Sequence, residues 1–254
     1  MSNSKIAISF ILIVIVFVSV CNFSYLKNKL YTDILFKTDT KLSDKENMKN
    51  IGSCTEGAFT VSFDDKDKTV LSFIDDDSKT ILWQSDALFN ISLVEKSLEY
   101  DNVLFNVYPV NSNGDITGSN VVFVYVKSTK VFCPYFGLNV PCSNAVILPT
   151  DDEKYDGLAW VLYGGHETES ILIPINLRDG GQELGQSVIF EGQQLFECDK
   201  DKFVFVNLEA FDQDYEMLKL TRMLFENNTD NTVKIEEKTY AISVSKKIYW
   251  QQYK

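Results

Sequence analysis

The segment GAFTVSF (57–63), DDKDK (64–68), TVLSFI (69–74), DDDSK (75–79), TILWQS (80–85) decides the fold. Three short runs rich in Val, Ile, Phe, Thr and Trp are separated by charged turns. Such residues fit a pleated, half-buried surface, and the Asp/Lys clusters end each run. The connections are too short to hold a crossover helix, so consecutive strands must pair antiparallel as a meander.

The same texture repeats downstream. NVLFNVYPV (102–110) and NVVFVYVK (120–127) flank NSNGDITGS, in which Asn113-Gly114 is a turn signal. GLAWVLYG (157–164) and SILIPINL (170–177) form another unit. KFVFVNLEAF (202–211) and YEMLKLTRMLF (215–225) form the next, and TYAISVS (239–245) and KIYWQQY (247–253) the last. YEMLKLTRMLF has helical propensity, but the strand before it needs an antiparallel partner, so it is read as strand. The expectation is an all-β, antiparallel fold that is sandwich-like or made of two β-subdomains. The units begin near Phe59, Val103, Gly157, Phe203 and Tyr240, roughly 35–55 residues apart. That spacing keeps a small irregular propeller of four or five blades as the alternative.

Upstream, Ile6–Cys21 reads IAISFILIVIVFVSVC, uncharged and interrupted only by Ser9 and Ser19. Lys5 precedes it, and Lys27 and Lys29 follow. Residues 1–26 are therefore expected to be an apolar helix acting as a signal anchor or a cleaved signal peptide, with residues 6–26 meeting the membrane. A lipid-bearing Cys21 fits less well, because Val20 precedes it. Residues 27–53, rich in Lys, Asp and Asn, read as a stalk or linker. Residues 54–254 read as the β-rich domain, outside the cytosol in a single-pass membrane protein or secreted.

Composition narrows the function. The formal charge is −12, which repels phosphate backbones, so nucleic acid is not an expected partner. Arg178 and Arg222 are the arginines, leaving few bidentate anion clamps. The one histidine, His166, sits in GGHETES, and there is no G-x-S-x-G elbow, zinc spacing or phosphate loop. Neither acidic run has the pattern of a calcium loop, and NSNGD reads first as a turn. No cofactor and no metal site are expected.

Beyond Cys21 lie Cys54, Cys133, Cys142 and Cys198. An even count in an exported domain points to disulfides. Cys133 and Cys142 flank a segment holding Pro134, Gly137 and Pro141, so they are paired here, and Cys54 with Cys198 by elimination. Sequons occur at Asn22, Asn90 and Asn227. Asn227 lies in polar ENNTDN, while Asn90 lies in an apolar stretch that favours burial.

Two segments are candidate contact sites. VFCPYFGLNVPC (131–142) reads as an apolar loop displaying Phe132, Tyr135, Phe136 and Leu138. RDGGQELGQS (178–187), with Arg178 and Gln182, reads as a long loop, a common carrier of binding function on β scaffolds. The sequence thus points to an envelope or surface component that works by protein–protein contact. An exported or anchored hydrolase, acting on carbohydrate, and a membrane-tethered scaffold subunit are the alternatives.

Overall fold

In the computed structural model the units beginning near Phe59, Val103 and Gly157 each enter a separate antiparallel sheet, while those beginning near Phe203 and Tyr240 share a fourth. The structure describes residues 48–63, 68–75, 78–136, 140–149, 153, 155–164, 169–190, 194–211, 216–227, 232–244 and 251–252. The expected apolar helix of residues 1–26, and most of the stalk, lie outside the described residues. No helix among the described residues is long and apolar enough to cross a membrane.

Sheet 1 comprises β1 (Lys49–Cys54), β2 (Gly57–Phe63), β3 (Thr69–Ile74) and β4 (Lys79–Gln84). Sheet 2 comprises β5 (Phe89–Leu93), β6 (Asn102–Pro109), β7 (Val121–Val126) and β8 (Val131–Pro134). Sheet 3 comprises β9 (Val146–Ile147), β10 (Leu158–Gly164), β11 (Ser170–Asn176) and β12 (Val188–Phe190). Sheet 4 comprises β13 (Lys202–Ala210), β14 (Met217–Asn227), β15 (Thr232–Ser243) and β16 (Gln251–Gln252). Every sheet is an open meander of four strands in chain order. The Met217–Phe225 part of YEMLKLTRMLF is strand, and β14 pairs with β13 from Lys202↔Glu226 to Ala210↔Leu218. Sheet 1 starts at Lys49, so part of the segment read as stalk is a strand.

Alternation along the strands sorts side chains between successive sheets. On β6, Val103, Phe105 and Val107 join Phe59, Val61, Leu71 and Phe73 in a core between sheets 1 and 2. Leu104, from the same strand, points the other way, into a cluster with Ala159, Val161 and Ile175 of sheet 3. Leu158, Trp160 and Leu162 then face Val204, Val206, Leu208, Leu218 and Leu220 of sheet 4. The central strands of sheets 2 and 3 are thus buried on both faces. That is why VLFNV, VVFVYV and LAWVL read as nearly unbroken apolar runs rather than clean alternations. The cores run in series, and no core cluster among the described residues joins sheet 1 to sheet 4. The structure does not support the propeller alternative.

Polar side chains bracket the sheet junctions. Thr69 Oγ1 accepts from Phe89 N at 2.8 Å and donates to Phe89 O at 3.3 Å, tying sheet 1 to sheet 2. Asn106 Oδ1 accepts from Ala145 N at 2.6 Å. Asn144 Nδ2 donates to Leu208 O at 2.8 Å, while its Oδ1 accepts from Leu208 N at 2.6 Å. Leu208 is buried, so its peptide groups depend on this one amide. Asn144→Ala is expected to cost about 2–4 kcal/mol, because two polar groups lose their partners away from water. A urea denaturation midpoint, compared with the unchanged chain, measures it.

The expected disulfides are not formed. Cys54, Cys133, Cys142 and Cys198 are free thiols. Each is placed by its own strand or turn. Cys133 lies on β8 opposite Val124. Cys142 makes isolated bridges to Asn120 and Tyr163, and its thiol donates to Asn120 O at 3.6 Å. Cys54 ends β1 against the sheet 1–sheet 2 core, whereas Cys198 precedes β13 and donates to Lys202 O at 3.2 Å. An even cysteine count therefore did not mean pairing. Cys198 is exposed and Cys142 buried. Iodoacetamide at neutral pH should label Cys198 in the native protein and spare Cys142 until denaturant is added, as peptide mass mapping would show.

Candidate functional site

The two candidate contact segments meet. After β8 the chain turns at Tyr135, whose N–H donates to Val122 O at 2.8 Å. Its phenol donates to Gly180 O at 3.1 Å, across the gap between the segments. Gln182 forms a bridge to Ile175 and hydrogen-bonds the same phenol. Burial pushes the Tyr135 phenol up to about 12, the Gln182 bond opposing the shift. Phe136 packs edge-on against Tyr135 (5.0 Å) and stacks on Tyr163 of β10 at 4.9 Å and 21°. A side chain at Gly164 would meet Phe196 and Pro141 at 3.5 and 3.6 Å, so these two rings border the aromatic group.

Glycine geometry shapes the adjoining loop. Gly180 has φ +74° and lies so close to Asn102 that a Cβ would sit 3.0 Å from Oδ1. Asn102 itself donates to Leu177 O at 3.0 Å. Gly157, also at φ +74°, leaves room for Arg178, whose Nη1 a Cβ would approach to 2.9 Å. Arg178 runs over the Tyr100 ring, with Cζ 5.7 Å from the centroid. It donates from Nη1 to Asp156 O at 2.9 Å and pairs through Nη2 with the Asp156 carboxylate. The Tyr100 hydroxyl donates to Asp156 Oδ1 at 2.7 Å. That hydrogen bond, with Arg178, holds the Asp156 carboxyl below its ordinary value. Both partners of the ion pair are about half exposed, so it fixes geometry more than it stabilises the fold.

The result is one surface built from sheets 2 and 3. It presents Tyr135, Phe136, Tyr163, the 178–187 loop with exposed Gln182 and Leu184, and the Tyr100–Asp156–Arg178 junction. Leu184, the first residue of a short 3-10 turn (Leu184–Gln186), is 62% exposed and adds an apolar side chain to this surface. The guanidinium is already engaged, so the surface offers rings, an amide and an apolar side chain rather than a free anion clamp.

Other sequence candidates fall elsewhere. Phe132 is not displayed. It lies on β8 and is buried between Phe123, stacked at 5.1 Å, and Phe105 at 5.7 Å. Leu138 and His166 lie outside the described residues. NSNGD is a turn, with Asn111 Oδ1 accepting from Asn113 N and Asp115 N, both at 2.9 Å. Among the described residues, no group of three or more His, Cys, Asp or Glu is placed to hold a metal ion. Tyr100, Asp156, Tyr163 and Leu184 were not singled out by the sequence. Tyr100 and Asp156 are 56 residues apart, and no motif links them.

The chain matches no family model, no curated protein and no solved structure.

Proposed function

We propose that this is a surface protein, membrane-anchored or secreted, that acts by protein–protein contact, as an envelope or surface component does. The observation that carries the proposal is the Tyr135–Gly180 hydrogen bond. It joins the aromatic segment to the 178–187 loop, so the two stretches form one surface that includes Leu184. The uncharged run Ile6–Cys21 supports a route out of the cytosol and attachment to the membrane through residues 6–26. Face-to-face packing of successive sheets supports reading the scaffold as sandwich-like, a rigid frame carrying contact loops.

Contact surfaces draw most of their binding energy from a few apolar or aromatic side chains. The test is saturable binding of the purified full chain to intact cells, with Leu184→Asp and Phe136→Ala as variants. Leu184→Asp should weaken binding by about 1–3 kcal/mol, some 5- to 150-fold, without changing the unfolding midpoint. Unchanged binding in both variants, together with a hydrolytic activity abolished by one Asp or Glu substitution, would replace contact with catalysis. A C-terminal tag shielded from protease on intact cells, with the chain in the cytosolic fraction, would remove the surface reading.

A further inference from the structure

We propose that Asn90 is an acceptor for an N-linked oligosaccharide. Asn90-Ile91-Ser92 is a sequon. It lies on β5, and a strand places residues i and i+2 on one face. Asn90 and Ser92 are accordingly both exposed, while Ile91, between them, is buried in the sheet 1–sheet 2 core. The apolar stretch that argued for burial is thus one strand with two faces. Phe89, Ile91 and Leu93 pack inward, and the sequon's two functional side chains point out.

The site can carry a bulky group. β5 is an edge strand of sheet 2, with β6 as its one sheet neighbour. The Asn90 amide donates to the Tyr108 hydroxyl, and the Tyr108 ring rests edge-on against Phe205 at 5.2 Å. A glycosylated amide keeps one N–H, so this hydrogen bond can persist beside the sugar. A glycan here would also shield an edge whose residues include neither Lys nor Pro, the side chains that commonly protect such edges from pairing with another chain.

The chemistry is transfer from a lipid-pyrophosphate-linked oligosaccharide. Asn90 Nδ2 bonds to the anomeric carbon, the C–O bond to pyrophosphate breaks, the lipid pyrophosphate departs and the amide loses one proton. Nothing is oxidised or reduced. Donor and transferase belong to the lumen of the secretory pathway, so this inference rests on the proposed export.

The experiment expresses the full chain in a eukaryotic secretory host, with a glycine-rich spacer and an Asn-Gly-Thr reporter after Lys254. Glycosidase-sensitive mobility is then read for each variant. Asn90→Gln and Ser92→Ala should each lose one glycan per chain, Ser92→Thr should keep it, and Asn227→Gln should leave the Asn90 glycan in place. Ser92→Ala retains the Asn90–Tyr108 contact, so loss there reports the sequon and not the fold. A glycosylated reporter with no change on Asn90→Gln overturns the Asn90 assignment and leaves export standing. A reporter without glycan overturns export, and the Asn90 assignment with it.

Discussion

Phe105→Ala is expected to destabilise the protein by about 3–5 kcal/mol. Phe105 is fully buried on β6 and meets Phe59 at 5.1 Å and Phe132 at 5.7 Å, both edge-on. Truncation removes the transfer energy of a benzyl group and leaves a cavity. The surrounding rings cannot close it, because strand pairing fixes their backbones. It also breaks two aromatic contacts, each worth about 0.5–1.5 kcal/mol. Urea denaturation should show a lower midpoint at an unchanged slope. Ile189→Ala is the contrast. That residue is 42% exposed on β12, and its loss should change stability by less than about 0.5 kcal/mol. The same reasoning reassigns Phe132. As a core ring stacked on Phe123, it would fail by unfolding when truncated, not by loss of a partner.

The readable part of the fold was the part with two-sided or alternating apolar patterns. β2, β3, β6, β7, β10, β11, β13 and β14 are rich in β-branched and aromatic residues and bounded by charged or Gly/Asn turns, so their reading followed from composition. The strands the sequence did not disclose are β1, β5, β8, β9 and β12, and each lies at a sheet edge. Edge strands are short, tolerate polar residues and admit Pro. KNIGSC therefore read as stalk, and VFCP as the start of a loop. That second reading is what put Phe132 on the surface. The disulfides failed for a related reason. Cysteine parity counts thiols but says nothing of their distance, and Cys133 and Cys142 are set by different strand pairings. Of the candidate site, the two segments were visible, since both carry Gly or Pro and depart from strand texture. Their meeting was not, because Tyr135 and Gly180 are 45 residues apart and joined only by tertiary packing.

Alkaline pH should unfold this protein more readily than its acidic composition alone would imply, and Cys142 should be a main cause. The thiol lies fully buried between sheets 2 and 3, and burial pushes it from an ordinary value of 9.0 up to about 12. Below about pH 9 the thiol is protonated in folded and unfolded chains alike, and its burial among Val122, Ala159 and Val161 is undisturbed. Above that value the unfolded chain releases the proton while the folded chain retains it, so the unfolded state binds fewer protons and stability falls as pH rises. The loss accumulates until the folded thiol itself ionises near pH 12. At about 1.4 kcal/mol per unit, the full span is of the order of 4 kcal/mol, comparable to losing a core side chain. Tyr135 acts in the same direction from 10.0 to about 12, with a smaller effect because its phenol is partly solvated. Cys142→Val removes the titrating proton while keeping an apolar group of similar size. Urea midpoints taken from about pH 8 to about pH 11 should fall steeply for the unchanged chain and less steeply for Cys142→Val. Parallel slopes for the two proteins would mean that the Cys142 thiol ionises as easily folded as unfolded, and would overturn this account of the alkaline loss.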